Sequence, residues 1–317
     1  MGELRWNPIL KEWIIVAGHR QKRPQLPEKF CPFCPGAPEV PTSDWKVKYL
    51  PNKFASLRMD PPDPMSKNES LFQVKPAKGQ CEIILYTPEH NTTLGKLPAE
   101  HIHTLIDFWA ERYEKIGSQD FIKYVLIFEN RGREIGVSLD HPHGQIYSFG
   151  FIPPNIQQEL RSSNEYFQEN NSCLFCNIID RELKDGRRTV LENSDIICFV
   201  PFYATWPYGV HIYPKRHVQS LLDMNKSERR NLAQILKEIL LKYDKLFDMP
   251  LPYEMIFHQE PSDGKKYPFY HFHIEFYIIH RDRNKIKYLG GCEQGAGVFV
   301  NPITPEETAE ELREINI

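Results

Sequence analysis

The run His141-Pro142-His143-Gly144-Gln145 carries the sharpest chemical signal in this chain. A neutral imidazole is a competent nucleophile near pH 7 when an acceptor orients its other nitrogen. His141 and His143 are read as pointing to opposite sides of a strand, leaving one for a structural role and one for a ligand. Paired histidines on a strand more often pack or hydrogen-bond than react, so their neighbours decide. Gly144 has no side chain and is expected to let a phosphate come close. Gln145, two residues beyond His143 and on its face, can donate neutral hydrogen bonds to phosphoryl oxygens. His143 is therefore the candidate nucleophile toward phosphorus, forming a nucleotidyl-histidine.

Cysteines supply the second signal. Of seven, four form two Cys-x-x-Cys pairs, and Cys81, Cys198 and Cys292 stand alone. Cys31 and Cys34 with His90 and His141 make a tetrahedral zinc set; two buried thiols or a redox dithiol are the plainer reading. A second pair followed by matching histidines favours metal. With no ligand position vacant, the zinc is structural, clamping the nucleophile strand to the N-terminal loop.

The elements that carry these residues occur twice. The order Cys31-Pro32-Phe33-Cys34, Tyr86-to-His90, Val125-to-Asn130 and His141-to-Tyr147 returns as Cys173-Leu174-Phe175-Cys176, Tyr213-to-His217, Glu254-to-Gln259 and His271-to-Tyr277. Such ordered recurrence indicates internal duplication. In each half, apolar residues recur at helical spacing: Leu105, Phe108, Trp109, Tyr113 and Ile116 in one, Leu232, Ile235, Leu236, Ile239, Leu240 and Tyr243 in the other. Short β-forming runs flank them: 82–86, 124–128 and 144–148, matched by 209–213, 253–257 and 271–277. The expected class is α+β: two duplicated units, each an antiparallel sheet with one long helix packed on it, divided as 1–155 and 156–317. A linking helix is expected over 157–170, and a capped surface helix after Thr304. Trp206 and Pro207 belong to the second core.

Composition bounds the rest. The 317 residues carry a net charge of −3, with 41% hydrophobic and 26% charged residues. That balance suits a soluble globular protein and argues against nucleic-acid partners. No apolar run approaches a membrane span, and Met1-to-Trp6 has neither an apolar signal region nor a myristoylation pattern. With an odd cysteine count, a reducing, cytoplasmic location is expected.

On His141-Pro142-His143-Gly144-Gln145 and the preceding Phe128-Glu129-Asn130-Arg131-Gly132, with Gly136 and Ser138, the chain resembles the galactose-1-phosphate uridylyltransferases of the histidine-triad superfamily over nearly its full length. Arg20 and Arg23 resemble that family's arginine pair, and Asn52 with Phe54 its nucleoside-pocket segment. The resemblance implies two HIT-like units, the second a degenerate copy, and a ping-pong exchange. UDP-glucose gives its uridylyl group to His143, and galactose 1-phosphate takes it. It also implies Ser138 and Gln145 on the phosphates, with Asn130 and Gly136 among the substrate contacts. The arginine pair and the segment from Lys287 to Glu293 would come from the partner of a homodimer. Gln145 stands where many histidine-triad hydrolases have a further histidine, and an amide there would spare the intermediate from water. The chain departs at Lys53, where the family often has Asp. It departs again in Gly290-to-Gly297, which lacks the aromatic expected near Cys292 and is closer to the nucleotide-sugar phosphorylases.

For the second half, the repeat gives Cys173, Cys176, His217 and His271 as a zinc set. The resemblance gives a competing set, Glu159, His258, His271 and His273, with iron or zinc. Sharing His271, the two cannot both be complete, and the cysteines favour the first. Glu275, in place of the glutamine, would repel a phosphate from His273. Two metals per chain are expected. The alternatives to uridylyl transfer are an ADP- or UDP-glucose phosphorylase with the same histidine, a hydrolase of nucleotide phosphoramidates or dinucleoside polyphosphates, and a non-catalytic zinc-stabilised nucleotide-binding module.

Overall fold

The computed structural model describes residues 2–22 and 31–317; Arg23 lies outside the described residues. The first half contains β1 (Gly2–Asn7), β2 (Glu12–Ala17), β3 (Lys48–Pro51), β4 (Val74–Pro76), β5 (Gly79–Leu85), α1 (Ala99–Gly117), β6 (Tyr124–Arg131) and β7 (His143–Phe149). The linking helix is α2 (Pro154–Asn170). Then follow α3 (Leu174–Asp185), β8 (Thr189–Glu192), β9 (Ile196–Phe199), β10 (His211–Pro214), α4 (Lys226–Leu246), β11 (Tyr253–His258) and β12 (His273–Tyr277). The chain closes with β13 (His280–Asp282), β14 (Lys285–Ile286), α5 (Gly291–Ala296) and α6 (Pro305–Glu314).

Among the described residues the two expected half-sheets join edge to edge in one nine-stranded antiparallel sheet, ordered β3-β5-β7-β6-β11-β12-β10-β9-β8. The seam is β6 against β11, with Arg131 opposite Tyr253 and Ile127 opposite Phe257. Register corrects one detail of the repeat. Phe128 lies opposite Gln145, and Ile256 opposite the equivalent Glu275. Phe128 therefore matches Ile256, Glu129 matches Phe257 and Asn130 matches His258. Matching the two phenylalanines by type puts the sequence pairing one residue out, which exchanges the faces of the sheet.

Helices α1 and α4 lie side by side on one face. Their stripes, Leu105, Trp109 and Tyr113 from α1 and Leu232, Leu236 and Leu240 from α4, bury against Ile84, Ile127, Ile146, Phe257 and Phe276 of the sheet. A capping box starts α4: Asn225 Oδ1 accepts from the Ser227 and Glu228 amides, while Glu228 accepts from Asn225 N. Thr304 and Glu307 cap α6 in the same way. The face carrying the site packs on α2, α3 and the small sheet β2-β1-β4 through Leu4, Leu57, Tyr124, Ile156, Phe175 and Phe199. The small sheet lies outside the repeat pattern; α3 starts on the repeated Cys173-to-Cys176 motif, but its helical form, like the small sheet, is absent from the sequence reading. Arg112 of α1 reaches Glu82 of β5, Nε to Oε2 at 2.9 Å, both buried. Among the described residues, no helix is long and apolar enough to cross a membrane.

The histidine pair is placed differently from the expectation. Strand β7 begins at His143, and His141 sits in the bend before it. Residues two apart within a strand share a face, as His143 and Gln145 do, so the divergence of His141 from His143 comes from the bend.

Candidate active site and metal clusters

His143 enters β7 almost fully buried, its ring edge-on to Phe33 with centroids 5.2 Å apart. Its Nδ1 lies 2.7 Å from the carbonyl oxygen of His141. A backbone carbonyl can only accept, so Nδ1 carries the hydrogen and Nε2 the lone pair. The bend at Pro142 supplies that acceptor two residues upstream.

His143 stands between two cavities. One, of about 270 Å³, is lined by Phe33, Asn52, Phe54, Ile83, Ser138, Leu139 and Gln145, among others. Its apolar walls suit a flat base, and Ser138, Gln145 and His143 offer polar groups to a phosphate. The other, of about 190 Å³, includes Asn130, Arg131, Gly132 and His141. Gly136 lines neither; at φ +80° it turns the loop between β6 and β7, a conformation glycine reaches without strain. Asn52 Oδ1 accepts from the Phe54 amide at 2.9 Å, shaping the pocket wall. Arg20 donates to the Phe54 carbonyl and the Tyr147 hydroxyl, each at 3.0 Å. Arg20 thus supports the cavity wall of its own chain. Lys287 and Glu293 line neither cavity. Lys287 Nζ instead donates to the Thr205 and Val300 carbonyls at 2.8 and 2.6 Å within the second half.

Two features of this site went unread in the sequence. Glu39 lines the first cavity and pairs with Lys53 at 2.7 Å, so a carboxylate is present although the expected Asp is not. Gly144 has a different reason from the one expected. A Cβ there would overlap the Tyr86 hydroxyl on the helix side of the sheet, so this glycine makes room for Tyr86.

Four ligand-type atoms converge beside the nucleophile: Cys31, Cys34, His90 and His141, all within 4.8 Å of one another. Cys34 Sγ is 3.3 Å from His90 Nδ1 and 3.7 Å from His141 Nδ1. Tetrahedral zinc with ordinary Zn–S and Zn–N lengths sets S···N near about 3.6 Å, so the set fits. His141 Nε2 lies 2.9 Å from the Thr87 carbonyl, which leaves Nδ1 for the metal. The second half repeats this with Cys173, Cys176, His217 and His271: Cys176 Sγ is 3.3 and 3.5 Å from the two Nδ1 atoms, and His271 Nε2 meets the Pro214 carbonyl at 2.9 Å.

A third cluster joins Glu159, His258, His273 and Glu275. The competition for His271 does not arise, because His271 turns to the cysteines and Glu275 takes the fourth place. Glu275 is 3.3 Å from His211 and 3.4 Å from His273. Burial alone would raise its carboxyl, but His211, His258 and His273 hold it well below the usual range. Burial likewise opposes the charge on His258, yet Glu159 at 2.9 Å, with Glu275, lifts it to about 9.

These halves correspond to two family models: residues 2–153 match the N-terminal domain of galactose-1-phosphate uridyl transferase and residues 159–316 its C-terminal domain. The chain belongs to the galactose-1-phosphate uridylyltransferase family. The Thermotoga maritima galactose-1-phosphate uridylyltransferase is 42% identical, covering 100% of this chain and 99% of its own. The Haemophilus influenzae enzyme is 33% identical over 98% and 94%. Among solved structures, a uridylyltransferase superposes with a TM-score of 0.89 at 39% identity, covering 98% and 97%. An Arabidopsis thaliana ADP-glucose phosphorylase reaches 0.78 at 25% identity, covering 100% and 99%. The phosphorylase is thus the more distant of these relatives.

Proposed function

We propose that this family member exchanges a uridylyl group between UDP-glucose and galactose 1-phosphate through His143. One observation carries the reading: the His143 ring is fixed by its Nδ1 contact to the His141 carbonyl, with the Nε2 lone pair between two cavities. Nε2 attacks the α-phosphorus in line, and the bond to the glucose 1-phosphate oxygen breaks. That anion leaves without needing a proton. A phosphate oxygen of galactose 1-phosphate then attacks the same phosphorus and the P–N bond breaks, giving UDP-galactose and the starting imidazole. Ser138 and Gln145 donate to the non-bridging oxygens as charge builds. Asn52 and Phe54 hold the nucleoside, with Arg20 behind Phe54. Gly136 and Asn130 shape the sugar-phosphate side.

Cys31, Cys34, His90 and His141 would hold one zinc, and Cys173, Cys176, His217 and His271 a second. Each is fully ligated by protein, so the metal supplies rigidity to the chain around it. The halves 1–155 and 156–317 then divide into a catalytic unit and a supporting one. By the family resemblance, Lys287 and Glu293 belong to the segment that would serve a partner's site across a homodimer.

Incubation with UDP-glucose radiolabelled in the uridylyl group, followed by chase, tests the proposal. Label that stays on the protein and moves to UDP-galactose on adding galactose 1-phosphate supports it. Chase by inorganic phosphate alone would make the acceptor that of a phosphorylase, and absence of label would remove the covalent route.

A further inference from the structure

The duplication provides an internal control for the ground beneath the nucleophile. Behind Gly144, on the face opposite the cavities, the fully buried Tyr86 places its hydroxyl where a Cβ would otherwise stand. Glu129, a buried carboxylate on β6, stands near the same hydroxyl without a hydrogen bond between them. Tyr253, from β11 of the second half, donates to Glu129 Oε1 at 2.9 Å. Register gives each position its counterpart. Ile83 pairs with Gln145 as His211 pairs with Glu275, but the strands shift by one residue beyond, since His141 meets the Thr87 carbonyl and His271 that of Pro214. Tyr86 thus answers to Tyr213, whose ring stacks on His273 instead. Glu129 matches Phe257, Gly144 matches Ile274, and Tyr253 matches Val125. These last three counterparts are apolar, and Tyr213 turns its ring to His273 on the other face. The same fold element is therefore built stably without a polar group at these three positions, whereas burying a carboxylate and two hydroxyls costs solvation. The costly version sits behind the reacting histidine alone.

We infer that Glu129, with Tyr86 and Tyr253, is a positioning device that fixes the backbone between His143 and Gln145 for attack on phosphorus. It rests on the reading of His143 as nucleophile. A peptide carrying both the attacking nitrogen and an oxyanion donor must be held to fractions of an ångström, since a displacement of about 1 Å can cost about a hundredfold in rate. A hydroxyl wedged into the glycine's open side, beside a carboxylate that is itself bonded across the seam by Tyr253, supplies that restraint. The second half thus contributes Tyr253 to a reaction in which its own His273 has no part.

The test is Glu129→Gln in the full-length protein, followed by single-turnover labelling with UDP-glucose, its KM, and thermal unfolding. Labelling should slow about tenfold or more with KM within about twofold and a melting temperature no lower than wild type. A residue that merely stabilised the fold would lose melting temperature and keep its rate per folded molecule. Gly144→Ala gives an independent check: it should slow labelling, and adding Tyr86→Phe should restore part of the rate, because the removed oxygen is what the new methyl meets. Wild-type labelling rates in Glu129→Gln, or no relief of Gly144→Ala by Tyr86→Phe, would overturn the inference while leaving His143 in place. An unlabelled wild type would instead overturn the reading beneath it.

Discussion

His143 and His273 hold the same posture in the two halves: each ring sets Nδ1 against the carbonyl of the histidine two residues upstream, at 2.7 and 3.0 Å. Posture alone therefore does not make a nucleophile. The next residue on the same face separates them, an amide at Gln145 and a carboxylate at Glu275, which lies 3.4 Å from His273 Nε2. The expected consequence is that His143→Ala removes covalent labelling and lowers turnover by a factor on the order of 10⁴ or more, with the metal content unchanged. Turnover that survives His143→Ala would move the chemistry elsewhere.

Metal content should follow the clusters one by one. Cys31→Ser and Cys173→Ser should each lose about one zinc per chain by elemental analysis, and the double variant both. Because His141 would supply a ligand and already supplies the His143 acceptor, Cys31→Ser should also slow labelling, whereas Cys173→Ser should lower stability more than rate. Equal kinetic losses in the two would contradict a metal role confined to the first half.

The Glu82–Arg112 pair should be costly to break and cheap to replace. Arg112 also lies over the Tyr49 ring at 4.2 Å, so Arg112→Ala strands a buried carboxylate and empties a packed site. Urea unfolding should register a loss of about 3–5 kcal/mol for that variant, and a much smaller one for Glu82→Leu with Arg112→Met. A loss below about 1 kcal/mol for Arg112→Ala would mean that water reaches the pair.

Acidity should reveal Glu129. Burial pushes its carboxyl up to about 7, against 4.5 for an unperturbed glutamate. Between those values the folded chain keeps a proton that the unfolded chain has lost, so stability falls as pH rises through this window and levels above it. The difference is about 3 kcal/mol. Comparing unfolding near pH 5 and near pH 8, the wild type should lose more stability than Glu129→Gln. Identical losses would assign the dependence to other groups.

Much of this was legible in the sequence because it depends on short spacings. The stripes of α1 and α4 follow from apolar residues at helical intervals, and both cysteine–histidine clusters from pairs followed by matched histidines. What escaped depends on strands meeting across the sheet. That Glu275 completes a cluster with Glu159 and His258 requires β11, β12 and α2 to come together, which no local spacing announces. The role of Gly144 was misread for the same reason, since Tyr86 lies on a neighbouring segment. Face alternation was misapplied at His141, since residues two apart on a strand share a face; the bend at Pro142, just before the strand, is what turns His141 away.

The seam between β6 and β11 has a consequence for the history of such a chain. Separated there, each half would end its sheet on an unpaired edge strand, open to pairing with any other copy. A duplicate in that place could not be discarded even with an unreactive histidine of its own. It covers its neighbour's raw edge, and selection could keep it as a wall without its being a workshop.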